Sequence, residues 1–116
     1  MKTIQELELL IEDWADEKDL IDLENALKQL DKTQEELDEL KFNLKLRKLG
    51  VRNYINEKDE PRDVKEQIKD DIGDIIVTLM IQCKIQETSF IECLNIAWEQ
   101  IKDRKGQTIN GTFIRQ

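Results

Sequence analysis

Leu23, Leu27, Leu30, Leu37, Leu40 and Leu44 follow one another at intervals of three, four or seven residues. That spacing traces one stripe of an α-helix and fits no pleated strand. It predicts a single long helix from about Asp22 to Lys48, with its leucines forming a buried seam. A chain of 116 residues that spends so much of itself on one helix has room for few other elements. One proline and four glycines leave little room for the turns of an all-β fold. The expectation is an all-α protein.

The other segments carry the same period. Thr3 and Glu6 have capping-box spacing ahead of Ile4, Leu7, Leu10, Ile11 and Trp14, which predicts a first helix from Thr3 to about Glu17. Gly50 is placed to stop the long helix, and the pattern lapses from Gly50 to Glu60. A third helix is expected from Pro61, as its first-turn residue, to about Gln86. Its second half, IIVTLMIQC, is apolar on nearly every face, as suits a core centre or an interface between copies. Ser89 with Glu92 signals a fourth helix to about Asp103, striped by Phe90, Ile91, Leu94, Ala97, Trp98 and Ile101. The tail KDRKGQTINGTFIRQ is net positive; GQTING reads as a turn and TFIR as a short extended end. The whole is expected to be one domain, residues 1–116, a bundle of four to five helices that oligomerises through them.

Composition excludes several functions. A formal charge of −8 argues against a nucleic-acid binder or an anionic-membrane binder, which need a basic surface. The absence of histidine rules out Ser-His and Cys-His nucleophiles and any His-ligated metal. Cys83 and Cys93 sit in apolar helical patterns with no zinc-ligand spacing, and read as reduced core thiols. MKTIQELELL lacks a signal-peptide core, and no stretch approaches a membrane span, so a soluble cytoplasmic protein is expected.

Two acidic pairs remain. Glu36 and Glu39 lie three apart in KTQEELDEL, as do Asp71 and Asp74 in KDDIGD. Residues three apart share a helix face. On spacing alone such pairs are more often a solvated acidic surface. Asp74, however, shares the line of Val77, Thr78 and Ile81, so its side is expected to be covered, and a buried unpaired Asp is costly. Two such faces together would gather four carboxylates, which a hard cation, Mg²⁺ or Mn²⁺, would relieve. Gly73 between the two aspartates suggests a close approach by a backbone or a ligand. Lys32 reads either as a salt bridge to Glu36 or as a phosphate ligand. Trp14 is either a packing anchor or a face for a nucleobase. Arg104 and Lys105 either complement a helix C-terminus or reach phosphates.

The ordered motifs EELDE, Glu35 to Glu39, and DDIGD, Asp70 to Asp74, resemble those of the MazG-like all-α nucleoside triphosphate pyrophosphohydrolases. That family carries E-E-x-x-E followed by E-x-x-D. Asp71 stands where the family usually has Glu, which keeps the charge and shortens the reach by one methylene. Trp14-Ala15, Lys32 and the ending AWEQIKDRKGQTINGTFI look like those of short phage-type and bacterial members, and the likeness runs over roughly residues 8 to 116. The resemblance implies cleavage of a nucleoside triphosphate to the monophosphate and pyrophosphate in nucleotide-pool house-cleaning. It implies Mg²⁺ held by Glu36, Glu39, Asp71 and Asp74, with Glu35 or one of these carboxylates activating water. It further implies phosphate contacts from Lys32, Arg104 and Lys105, base stacking on Trp14, and a homodimer or homotetramer. The alternative of another class is a non-catalytic interaction or regulatory protein of the same fold.

Overall fold

The computed structural model describes residues 1–116. Four helices, α1 (Ile4–Glu17), α2 (Ala26–Lys48), α3 (Val64–Ile85) and α4 (Phe90–Ile101), carry most of the chain, with one 3₁₀ turn at Leu23–Asn25. Two small antiparallel hairpins complete it: β1 (Asn53–Ile55) with β2 (Pro61–Asp63), and β3 (Gly106–Ile109) with β4 (Thr112–Arg115). No helix is long and apolar enough to cross a membrane.

The helix starts follow their side chains. Thr3 Oγ1 accepts from the Glu6 amide at 3.1 Å while Glu6 Oε1 accepts from the Thr3 amide, a complete capping box. Ser89 Oγ accepts from the Glu92 amide at 3.1 Å. Gly50, at φ +79°, ends α2 just beyond its last turn, as expected of a C′ glycine.

Three expectations are corrected or sharpened. Pro61 does not open the third helix; it sits in β2, and Asp63 caps α3 by accepting from the Glu66 amide at 3.1 Å. The segment from 50 to 60, where the helical pattern lapses, carries β1 and the turn of a hairpin: Asn53 pairs with Asp63 and Ile55 with Pro61, and the Phe42 and Tyr54 rings meet edge to face at 5.9 Å. In the tail the turn is confined to Asn110 and Gly111, both at positive φ, so GQTI is itself a strand pairing with TFIR.

The largest correction concerns α2. The leucine stripe does not form the buried seam: Leu23, in the 3₁₀ turn, and Leu27, Leu30, Leu37 and Leu44 are all exposed. The face that packs on α3 carries Ala26, Gln29, Thr33, Glu36, Leu40 and Asn43, also at helical spacing. Four hydrogen bonds join it to α3. Gln82 Nε2 donates to Ala26 O at 2.8 Å, and Gln29 Nε2 to Thr78 O at 3.2 Å. The Thr33 and Thr78 hydroxyls meet at 2.9 Å, and Asn43 Nδ2 donates to Asp71 Oδ2 at 2.7 Å. Partners descend on one helix as they ascend on the other, so α2 and α3 run antiparallel along a polar seam.

The apolar core is small and lies where α1 crosses the C-terminal half of α3. Ala15, Ile81 and Ile85 are buried there, with Ile11, Leu20, Ile21, Ala26 and Val77 packed around them. Only five apolar residues of the chain are fully buried. The Cα radius of gyration is 17.0 Å, against about 13 Å for a compact globule of this length. The stripes of α1 and α4 are exposed, including Leu7, Leu10, Leu94 and Trp98. Cys93 is exposed and Cys83 half-buried, their sulfurs 3.8 Å apart between α3 and α4, so the thiols do not lie in the core. A Cβ at Gly73 would meet nothing within 4 Å, so no backbone approaches it.

Glu8 of α1 is buried, and its Oε1 accepts from the Phe90 amide at 3.0 Å, tying α1 to the first turn of α4. Glu8→Ala would leave that amide without its partner. A loss of about 1–3 kcal/mol is expected, read as a lower urea midpoint at unchanged slope.

Candidate metal centre

At the middle of the polar seam, Glu36 and Glu39 of α2 face Asp74 of α3. One carboxylate oxygen from each lies within 4.8 Å of the other two. Helical spacing brings each pair to one face, and the antiparallel seam brings the faces together. Glu36 is 8% exposed; its Oε1 lies 3.4 Å from Lys32 Nζ, and its Oε2 is buried with no hydrogen-bond partner.

The fourth acid stands beside this group. Asp71 is 1% exposed, and one of its oxygens takes the hydrogen bond from Asn43. Its charge still acts on both Glu39 and Asp74. The shorter Asp side chain at this corner is thus anchored sideways, close to the trio and outside its tightest grouping.

The electrostatics carry the strain of assembly. Loss of water around the carboxylate raises the Glu39 pKa above the ordinary value, and the neighbouring Glu36 and Asp71 add to it. Burial likewise raises Asp74, with Asp70, Glu36 and Asp71 adding to the effect. Lys32 is the cation at hand, raised by its hydrogen bonds to Glu35 and then Glu36. It is shared: Lys32 Nζ is 3.1 Å from Glu35 Oε2, and Glu35 is otherwise exposed. One ammonium group among four clustered carboxylates and Glu35 leaves net negative charge in a partly dehydrated place.

The donor set fits a hard divalent cation. All ligands are oxygens, they come from two rigid helices, and Glu36, whose side chain is nine-tenths buried, keeps an orphaned Oε2. Such an ion would meet the charge that Lys32 alone does not.

A cavity of about 480 Å³ opens beside the cluster. Glu36 and Asp74 line it together with Lys28, Lys32, Trp14 and Thr78. Trp14 is half exposed. Arg104 and Lys105 are not among the lining residues; they stand at the junction of α4 and the β3–β4 hairpin. Reasoning from sequence missed Asn43, Gln29 and Thr33. Their signal was present as the three- and four-residue spacing from Ala26 to Asn43, and the leucine stripe beside it masked that signal. Comparison with protein-family models, with curated proteins and with solved structures gives no match.

The raised carboxyls set a pH dependence. The unfolded chain releases these protons in the ordinary carboxylate range, and the folded metal-free protein keeps them to higher pH. The folded state then binds more protons across that window, so this contribution to stability falls as pH rises through it. Metal-free Glu39→Gln/Asp74→Asn is expected to melt above the unsubstituted protein at neutral pH, the gap closing as pH falls below the ordinary carboxylate range. Melting curves across pH in a chelator check this.

Proposed function

We propose that the chain is a Mg²⁺-dependent nucleoside triphosphate pyrophosphohydrolase of MazG-like type, with Mn²⁺ able to substitute. The observation that carries this reading is the convergence of Glu36, Glu39 and Asp74 at a cavity that also presents Lys32 and Trp14. A nucleotide has the parts to match: a polyphosphate for a cation and Lys32, and a flat base for an indole.

Glu36, Glu39 and Asp74 would hold the cation, with Asp71 as the fourth carboxylate. When bound, the ion offsets phosphate charge and lowers the pKa of water. Glu36 is the central donor, since its buried Oε2 has no other partner. Lys32, held over the cluster by Glu35 and Glu36, meets a phosphate oxygen. Glu35, solvent-facing beside Lys32, or one of the cluster carboxylates takes the proton of an attacking water. Trp14 covers the base. The overall reaction gives the nucleoside monophosphate and pyrophosphate.

The exposed apolar stripes support a bundle completed by copies of the chain, as a homodimer or homotetramer. Leu7 and Leu10 on α1, Leu27 and Leu30 on α2, and Leu94 and Trp98 on α4 cannot all be covered within one copy. Association is the physical remedy for a chain this expanded with so little core. Arg104 and Lys105 would then be supplied to the cavity of a neighbouring copy.

Incubation with a panel of ribo- and deoxyribonucleoside triphosphates, with and without Mg²⁺, tests the activity. Metal-dependent release of pyrophosphate and monophosphate is expected, abolished in Glu36→Gln and Asp74→Asn with helicity kept. No release from any nucleotide at enzyme levels near those of substrate overturns the enzyme and leaves a helical interaction or regulatory protein. Sedimentation at micromolar concentration tests the assembly: a mass of two or four times 13.7 kDa is expected, and a monomer overturns it.

A further inference from the structure

Asn43 is fully buried, at 3% exposed, one turn beyond Glu39 on the same helix. Its amide nitrogen has two hydrogens, and both are committed: one to Asp71 Oδ2 at 2.7 Å and one to the Glu39 backbone carbonyl at 3.2 Å. The reversed amide would set an oxygen against two acceptors, so the two bonds fix its orientation. Its Oδ1 is buried without a partner. Asn43 thus bridges the main chain of one cluster acid, Glu39, and the side chain of another, Asp71.

We propose that Asn43 is a positioning residue that holds the Asp71 carboxylate beside the Glu36–Glu39–Asp74 group for use by the cation. The role rests on the proposed cation site and adds a requirement to it. Asp71 is one methylene shorter than glutamate, and it is almost wholly out of water. A free carboxylate in such a place would rotate away from the like charges around it. A lysine or arginine partner would hold it but cancel the charge that a cation needs. A second acid would repel it. A neutral amide donor supports the anion and leaves its charge for the metal. Residues that brace metal ligands in this way commonly change metal affinity by roughly 10- to 100-fold.

The test uses Mn²⁺ as the probe, titrated into the full chain and read by the free-ion electron paramagnetic resonance signal. Asn43→Leu keeps the approximate volume and removes both donors. The folded variant is expected to bind Mn²⁺ roughly 10- to 100-fold more weakly than the unsubstituted chain. In an Asp71→Asn background the same substitution is expected to cost no further affinity, because its effect passes through Asp71. A residue that merely ties α2 to α3 would lower the melting temperature and leave the Mn²⁺ affinity of the folded protein unchanged. Equal affinity in Asn43→Leu, or a full additional loss in the Asp71→Asn background, overturns the proposal while the cation site stands. Absence of Mn²⁺ binding in the unsubstituted chain overturns the cation site itself, and with it this role. Should Asn43→Leu fail to fold, Asn43→Ser, whose shorter side chain falls short of Asp71, reads the same affinity with the same expectation.

Discussion

The hydrogen-bonded seam between α2 and α3 is the constraint on which the rest of the structure depends. Gln82 reaches Ala26, Gln29 and Thr33 reach Thr78, and Asn43 reaches Asp71. These bonds specify register in a way that leucines would not. An apolar face tolerates a slide of one turn, because one methyl group replaces another. Sliding this seam would leave buried amides and hydroxyls unpaired, at about 1–3 kcal/mol for each. The seam therefore fixes where Glu36 and Glu39 stand relative to Asp71 and Asp74 along two helices of more than 20 residues.

That register has a consequence for charge. The carboxylates are held by rigid backbones, so they cannot relax apart as they would on a loop. Loss of water first, and the neighbouring carboxylates second, raise the pKa values of Glu39 and Asp74, and the unpartnered Glu36 Oε2 is the least satisfied atom of the group. A helix pair that packs polar groups against polar groups also gains little from hydrophobic burial. Its leucines lie on the outside, and the apolar core is limited to the crossing of α1 over α3. The same choice that gathers the acids leaves the protein expanded, with apolar stripes on three helices. In the proposed reading, site and assembly share this origin: the seam is spent on chemistry, and copies of the chain supply the missing burial.

Much of the site was legible in the residue order. The pairs at 36/39 and 71/74 have the spacing of a shared helix face, the lack of histidine points to oxygen chemistry, and Lys32 falls one turn before Glu36. Asp74 was placed beside apolar neighbours, and it is half-buried. The role of Asn43 was not legible. Its spacing from Gln29, Thr33 and Glu36 marks a helix face, but its partner is Asp71, 28 residues away. The basic tail reads as a phosphate-binding element in sequence, but within a single chain it lies off the cavity. Linear proximity to a glycine-rich turn says nothing of where a hairpin is carried.

The sequence by itself determined the elements. Helix caps, helical periods and the Asn110–Gly111 turn are set by contacts within a few residues, and these appear much where local chemistry puts them. Tertiary structure alone decided which face of α2 is buried. Both its stripes have helical spacing, and transfer of leucine from water favours the apolar one. The polar face wins because α3 offers it matched donors and acceptors, an energy that exists only when the two helices meet. The same meeting turned two ordinary acidic pairs into one cluster of confined charge.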